Sequence, residues 1–179
     1  MSAATEALCN HPVFRFFRVI SDIPRPSKHE EQISQFLFRW ARERGLEAEQ
    51  DEKLNILIRK PATPGYEGAP GIMLQAHMDM VCEKAPEAEH DFMKDPIHWE
   101  LDGDILSTGR RTTLGADDGI GVAMAMAVLD DDTLSHPALE VLFTTAEEDD
   151  FSGAEHFDVS KMTATRLINL DHANEKQIL

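Results

Sequence analysis

Two short strings, Gln75-Ala76-His77-Met78-Asp79 and Leu114-Gly115-Ala116-Asp117-Asp118-Gly119, are followed by Glu147-Glu148 and by Asp171. Together they offer one imidazole and a series of carboxylates at intervals suited to collecting two divalent metal ions in one cleft. A water held by such ions becomes a nucleophile near neutral pH, and a neighbouring carboxylate can manage its proton. Metal-assisted hydrolysis is the chemistry these residues point to.

His77 and Asp79 stand two apart at the end of an expected strand, so both side chains leave by one face. If one ring nitrogen of His77 binds a metal, Asp79 can accept a hydrogen bond from the other, setting the tautomer and strengthening the ligand. Asp117 lies between Gly115 and Gly119, where the backbone can turn and aim a carboxylate from a helix start into a cleft. Taken singly, Asp117 or Asp118 reads as a helix cap, His77 with Asp79 as a polar strand end, and residues 147–150 as a solvated acidic turn. Recurrence at the ends of apolar strands, along one sheet edge, favours a shared site. Neighbours in a regular strand face opposite ways, so Glu147 and Glu148 can both serve that site only if their strand has already ended. Asp149, Asp150 and Gly153 suit such a break.

The elements that must hold these groups follow from periodicity. Val13, Phe16, Phe17 and Ile20 predict a helix over 12–23, ended by Pro24 and Pro26. A second helix is expected from a capping-box spacing, Ser27 to Glu30, through Ile33, Phe36, Leu37 and Trp40 to about Gly45. Strands are expected over 54–58, 72–81, 139–145 and 166–171, with a hairpin at Asp102-Gly103. A helix is expected over 117–130, with Met124 and Met126 as core filling, and a short one over 151–157. This alternation predicts an α/β fold: a layered α/β/α catalytic domain whose sheet is mixed and mostly parallel, the hairpin being the reason to expect antiparallel strands.

A chain of 179 residues suits one domain. With 33 acidic against 17 basic residues and a net charge of -16, it should repel nucleic-acid phosphates and anionic membranes, so neither is an expected partner. Cys9 and Cys82 are expected to be free thiols. No basic and apolar leader opens the chain, and the apolar run 120–129 falls short of the ~20 residues that span a bilayer, so a soluble, cytoplasmic protein is expected. His11, His29, His90, His98, His136, His156 and His172 lack comparable companions and are expected to be surface or structural residues.

The order of the strings Leu74 to Val81, His90-Asp91-Phe92 with Asp95-Pro96-Ile97, Thr113 to Asp117, and Ile168-Asn169-Leu170-Asp171 resembles the bacterial aminoacyl-histidine (Xaa-His) dipeptidases. The resemblance extends over Ile23-Pro24-Arg25-Pro26-Ser27 and Asn55 to Pro61. It implies a di-zinc peptidase related to aminoacylases and glutamate carboxypeptidases, with manganese or cobalt as alternative ions. In such an enzyme His77 and Asp171 would hold one ion, Glu148 the other, and Asp117 would bridge them. Asp79 would orient His77, and Glu147 would be the general base. The implied substrates are dipeptides, including His-containing ones such as carnosine.

Two departures from the family pattern stand out. Asp118 replaces a usual Asn beside the bridging carboxylate, in a peptide bond the family holds cis, and its extra charge could tighten or distort the site. Family members also continue beyond Leu179, through an inserted lid or dimerisation domain that would form a homodimer, and back into the catalytic domain with a further histidine ligand. Residues 1–179 are therefore expected to be the N-terminal part of that catalytic domain, weak at the second ion and poor in turnover alone. The alternative is a noncatalytic metal- or peptide-binding remnant; a calcium-binding domain is disfavoured because His77 suits zinc better.

Overall fold

The computed structural model of the chain describes residues 3–172. Its elements run α1 (Ala3–Leu8), α2 (Pro12–Ser21), α3 (Glu31–Glu43), β1 (Glu47–Gln50), β2 (Ile56–Lys60), β3 (Ile72–His77), β4 (Glu100–Asp102), β5 (Ile105–Ser107), α4 (Ala116–Asp130), β6 (Leu139–Thr144), α5 (Ser152–His156), a 3₁₀ turn (Val159–Lys161) and β7 (Arg166–Asn169). Every residue of β6 is buried, as a strand covered on both faces requires. It lies at the centre of a five-stranded sheet of order β1-β2-β6-β3-β7. The sheet is mixed: β3 runs parallel to β6 and β7, whereas β1–β2 and β2–β6 are antiparallel.

The antiparallel half does not come from the Asp102-Gly103 hairpin. That hairpin forms as expected, but β4 and β5 make a separate two-stranded ribbon. Its strands are three residues long and half-buried at best, so they have no apolar face with which to join the main sheet. The antiparallel edge is instead β1, where Ala48 is the one buried residue among Glu47, Glu49 and Gln50; charges on an edge strand discourage pairing with another chain.

Helices α2, α3 and α4 cover one face. Phe17, Ile20, Ile33, Leu37, Val122 and Met126 pack there against Ile56, Ile58, Leu74, Ala76, Val141 and Phe143. The opposite face holds a smaller cluster, Leu57, Met73 and Leu142, under Phe157, Met162 and Ala164. The layered α/β/α arrangement is therefore thick on one side and thin on the other. Packing between α2 and β3 explains why α4 carries apolar residues on most of its circumference. Met126 is buried there, but Met124 faces solvent and is not core filling. Among the described residues no helix is long and apolar enough to cross a membrane.

Three boundaries differ from expectation. Helix α3 starts at Glu31 with no side-chain cap, because Ser27 and Glu30 are engaged elsewhere. Leu54 sits at φ +68 in the turn before β2 rather than in the strand. Strand β3 ends at His77, since Met78 to Met80 bend away to meet residues 25 and 26.

Glu140 is an unexpected polar member of β6, only 3% exposed. Its oxygens accept the N–H groups of Thr163 and Ala164, the Thr163 hydroxyl and Arg59 Nε, tying the 157–165 connection to the sheet. Burial works against its charge, but these donors outweigh it and hold Glu140 below its ordinary 4.5. A carboxyl depressed in the folded state stabilises fully above its unfolded value and loses that contribution as pH falls through the folded one. Glu140→Gln should therefore cost about 2 kcal/mol at pH 7, with the gap to wild type closing below about pH 4.5. Urea unfolding at pH 7 and pH 3.5 checks this; a gap independent of pH would contradict it.

Candidate metal centre

The parallel strands β6, β3 and β7 end at one edge of the sheet, where sites form in α/β folds. The β3–β7 register pairs Gln75 with Asn169, and Leu170 N–H continues it to Gln75 C=O at 2.8 Å. Two residues further, Asp171 comes level with His77. On the other side His77 pairs with Thr144, the last residue of β6, and the chain turns immediately into Glu147 and Glu148. Asp117 arrives from the start of α4, where Gly115 at φ +68 makes the bend. Residues 117 and 118 depart from helical geometry, and their peptide bond is cis, as the resemblance implied.

His77 is the hub. Its Nδ1 lies 3.3 Å from Asp79 Oδ1. Its Nε2 lies 3.1 Å from Asp117 Oδ1, 3.7 Å from Glu147 Oε2 and 4.0 Å from Asp171 Oδ2. Two sets of donors come within 4.8 Å of one another: His77, Asp117 and Glu148, and His77, Glu147 and Asp171. All six residues singled out from the sequence therefore converge. Asp117 stands between two shallow clefts, one of about 320 Å³ reaching Asp171 and His172, the other of about 470 Å³ reaching Glu148, Val81 and Leu114.

The electrostatics are those of a site built for positive charge. Burial disfavours a charged His77, but Asp79 and Asp117 overcome this and raise it to about 9. Glu147 and Glu148 are both raised, first by burial and then by neighbouring carboxylates, Asp171 and Asp79 for Glu147 and Asp117 for Glu148. Asp118, raised to about 7 by burial and by Asp171, points inward. Its oxygens accept the N–H of His77 and of Gly121, both at 3.2 Å, so its carboxyl braces the end of β3 against the first turn of α4 beneath the open cluster.

Asp79, fully buried, accepts four hydrogen bonds: Oδ1 from His77 and Glu147 N–H, Oδ2 from Ser27 Oγ and Glu148 N–H. Ser27 is thus a partner of the site and not a helix cap.

The cytosol non-specific dipeptidase of Escherichia coli is 46% identical over 171 residues, 96% of this chain and 35% of that protein. The crystal structure of aminoacylhistidine dipeptidase from Vibrio alginolyticus superposes with a TM-score of 0.87 at 43% identity, over 90% of this chain and 33% of that one. This chain is similar to the amino-terminal third of bacterial dipeptidases. Aminopeptidase PepT from Bacillus cereus, at 23% identity and a TM-score of 0.76 over 90% of this chain and 43% of its own, shares the fold. No protein-family model matches. The chain spans about a third of the length of the dipeptidases it matches.

Periodicity and spacing gave no place in the site to four residues that build it: Arg25 and Asn55 had no role, and Ser27 and Glu30 only that of a helix cap. Arg25, 2% exposed, donates from Nη1 to the carbonyls of Met78 and Asp79, each at 3.1 Å, and from Nη2 to that of Gly115. It clamps the end of β3 to the start of α4. A Cβ at Gly119 would collide with its guanidinium and with Phe17, so Gly119 is needed for close approach and not, as its spacing suggested, for the turn. Ser27, Glu30 and Asn55 hold the site from other elements. The strings Ile23 to Ser27 and Asn55 to Pro61 contain Arg25, Ser27 and Asn55, with Glu30 three residues beyond the first, but nothing in local spacing says what they touch.

Proposed function

We propose that this chain is the N-terminal part of the catalytic domain of a cytoplasmic metallo-dipeptidase that holds two divalent ions. The convergence of His77, Asp117, Glu147, Glu148 and Asp171 at one strand edge carries the reading, and the likeness to two dipeptidases supports it. The donor set fits the ions: one imidazole and several carboxylates, without a thiolate, suit zinc, with manganese and cobalt accepted by the same ligands. His77 and Asp171 would hold one ion, Glu148 the other, and Asp117 would serve both.

When bound, the ions supply the Lewis acidity that makes water a nucleophile near neutral pH. Asp79 fixes the His77 tautomer so that Nε2 faces the cluster. Glu147 takes the proton from the attacking water and returns it to the departing amine nitrogen. The clefts flanking Asp117 receive the two residues of a dipeptide, His-containing ones such as carnosine included. Further ligands, a lid and a homodimer interface belong to the remainder of a protein as long as its relatives.

Zinc titration by calorimetry tests the reading. Wild-type chain should bind one ion tightly and a second more weakly; Asp117→Ala should abolish the second and weaken the first by about 10–100-fold. A version extended to the length of the Escherichia coli relative should bind both tightly and hydrolyse dipeptides. Two-ion binding without hydrolysis would leave the noncatalytic binding module as the function, and no binding would dismiss both.

A further inference from the structure

The turn carrying Glu147 and Glu148 begins on a left-handed residue. Ala146 has φ +54, a conformation unfavourable for any residue with a Cβ. Its carbonyl accepts the N–H groups of Asp150 at 3.2 Å and Phe151 at 2.8 Å, closing the turn. Four consecutive N–H groups then point into the protein, and each meets a buried side-chain oxygen. Thr145 donates to Asn55 Oδ1 at 3.1 Å, Ala146 to Glu30 Oε1 at 2.8 Å, and Glu147 and Glu148 to the two oxygens of Asp79, both at 3.1 Å. Asn55, Glu30 and Asp79 are at most 3% exposed and come from three different stretches of chain.

Burying two carboxylates beneath an acidic turn is unfavourable unless each is hydrogen-bonded, and the turn's own backbone supplies the donors. With the amides directed inward, the side chains of Glu147 and Glu148 leave on the open side, towards His77 and Asp117. Glu30 holds the residue on which this depends. Its Oε1 takes the N–H of the left-handed Ala146 and also that of Lys28 at 2.9 Å, joining the loop before α3 to the turn.

We propose that Glu30 is a positioning residue for the metal centre: by receiving the Ala146 N–H it fixes the direction in which Glu147 and Glu148 leave the backbone. It touches neither ion nor substrate, and the proposal rests on the two-ion reading above. Removing its oxygen frees Ala146 to leave the left-handed region, and the Glu148 carboxylate then loses its place beside Asp117 and His77.

Co(II) binding to this chain, read by calorimetry and by the visible absorption of the bound ion, tests the proposal at a temperature where circular dichroism finds each variant folded. Glu30→Gln, whose amide oxygen can accept the same two N–H groups, should bind Co(II) within about 3-fold of wild type and with its spectrum. Glu30→Ala should bind about 10–100-fold more weakly, with a changed spectrum. Glu30→Asp, which withdraws the oxygen by one methylene, should move the same way and serves if the alanine variant does not fold. Folded Ala or Asp variants with wild-type affinity and spectrum would overturn the proposal even if they melt lower, because Glu30 would then be structural only. So would a Gln variant as weak as Ala, since charge and not the amide contact would matter. A wild-type chain that binds no Co(II) would overturn the two-ion reading together with the proposal.

Discussion

Arg25→Met should lower the unfolding free energy of this chain by about 3–5 kcal/mol, the largest stability effect expected of a single substitution here. Methionine fills much of the space but donates nothing. Two buried carbonyls, those of Met78 and Asp79, and the part-buried one of Gly115 would lose their donor, and an unpaired buried acceptor costs about 1–3 kcal/mol. Asp79 would also lose the cation behind it. Burial lowers Arg25 to about 10, so it remains charged at neutral pH and the pairing is intact there. Arg25→Lys keeps the charge but cannot spread one ammonium over acceptors on two sides of a planar fork, and should fall between the two. Urea unfolding followed by circular dichroism measures all three proteins. A methionine variant within 1 kcal/mol of wild type would mean that water replaces the guanidinium, and the clamp would lose its role.

Glu147→Gln, in a version extended to the length of the Escherichia coli relative, should reduce kcat for dipeptide hydrolysis by about 10²–10⁴-fold while leaving two bound ions. The substitution preserves shape, and the position of residue 147 is set by its backbone N–H on Asp79, so the loss would belong to proton transfer and not to misplacement. Glu148→Gln should behave differently, losing an ion along with turnover, because its carboxylate belongs with Asp117 and His77. Metal analysis and hydrolysis rates on the same preparations separate the two cases. Unchanged kcat in Glu147→Gln would remove Glu147 from the chemistry, and loss of an ion would reassign it as a ligand.

Much of this molecule is visible in local pattern. Helix α2 follows from Phe16, Phe17 and Ile20 at helical spacing, β6 from an apolar β-branched run, and the break before Glu147 from the acidic residues and glycine that follow it. The same reasoning failed at β1, where one apolar residue in four makes no periodic signal, and at Ser27, whose capping-box spacing is real but whose hydroxyl is taken by Asp79, 52 residues away.

Residue type and short-range spacing alone determined the chemistry on offer: an imidazole, a carboxylate two residues beyond it, and acidic groups at or just after the ends of the apolar strands over 139–145 and 166–171. Only the tertiary structure decided that Asp171 stands level with His77, that Asp118 turns inward while Asp117 faces the clefts, and that Arg25, Glu30 and Asn55 hold the site together. The reason is physical. Periodicity reports which face of an element is buried, whereas these placements depend on strand register and on hydrogen bonds between residues as far apart as Glu30 and Ala146, 116 positions along the chain, and such bonds leave no trace in the spacing of neighbours.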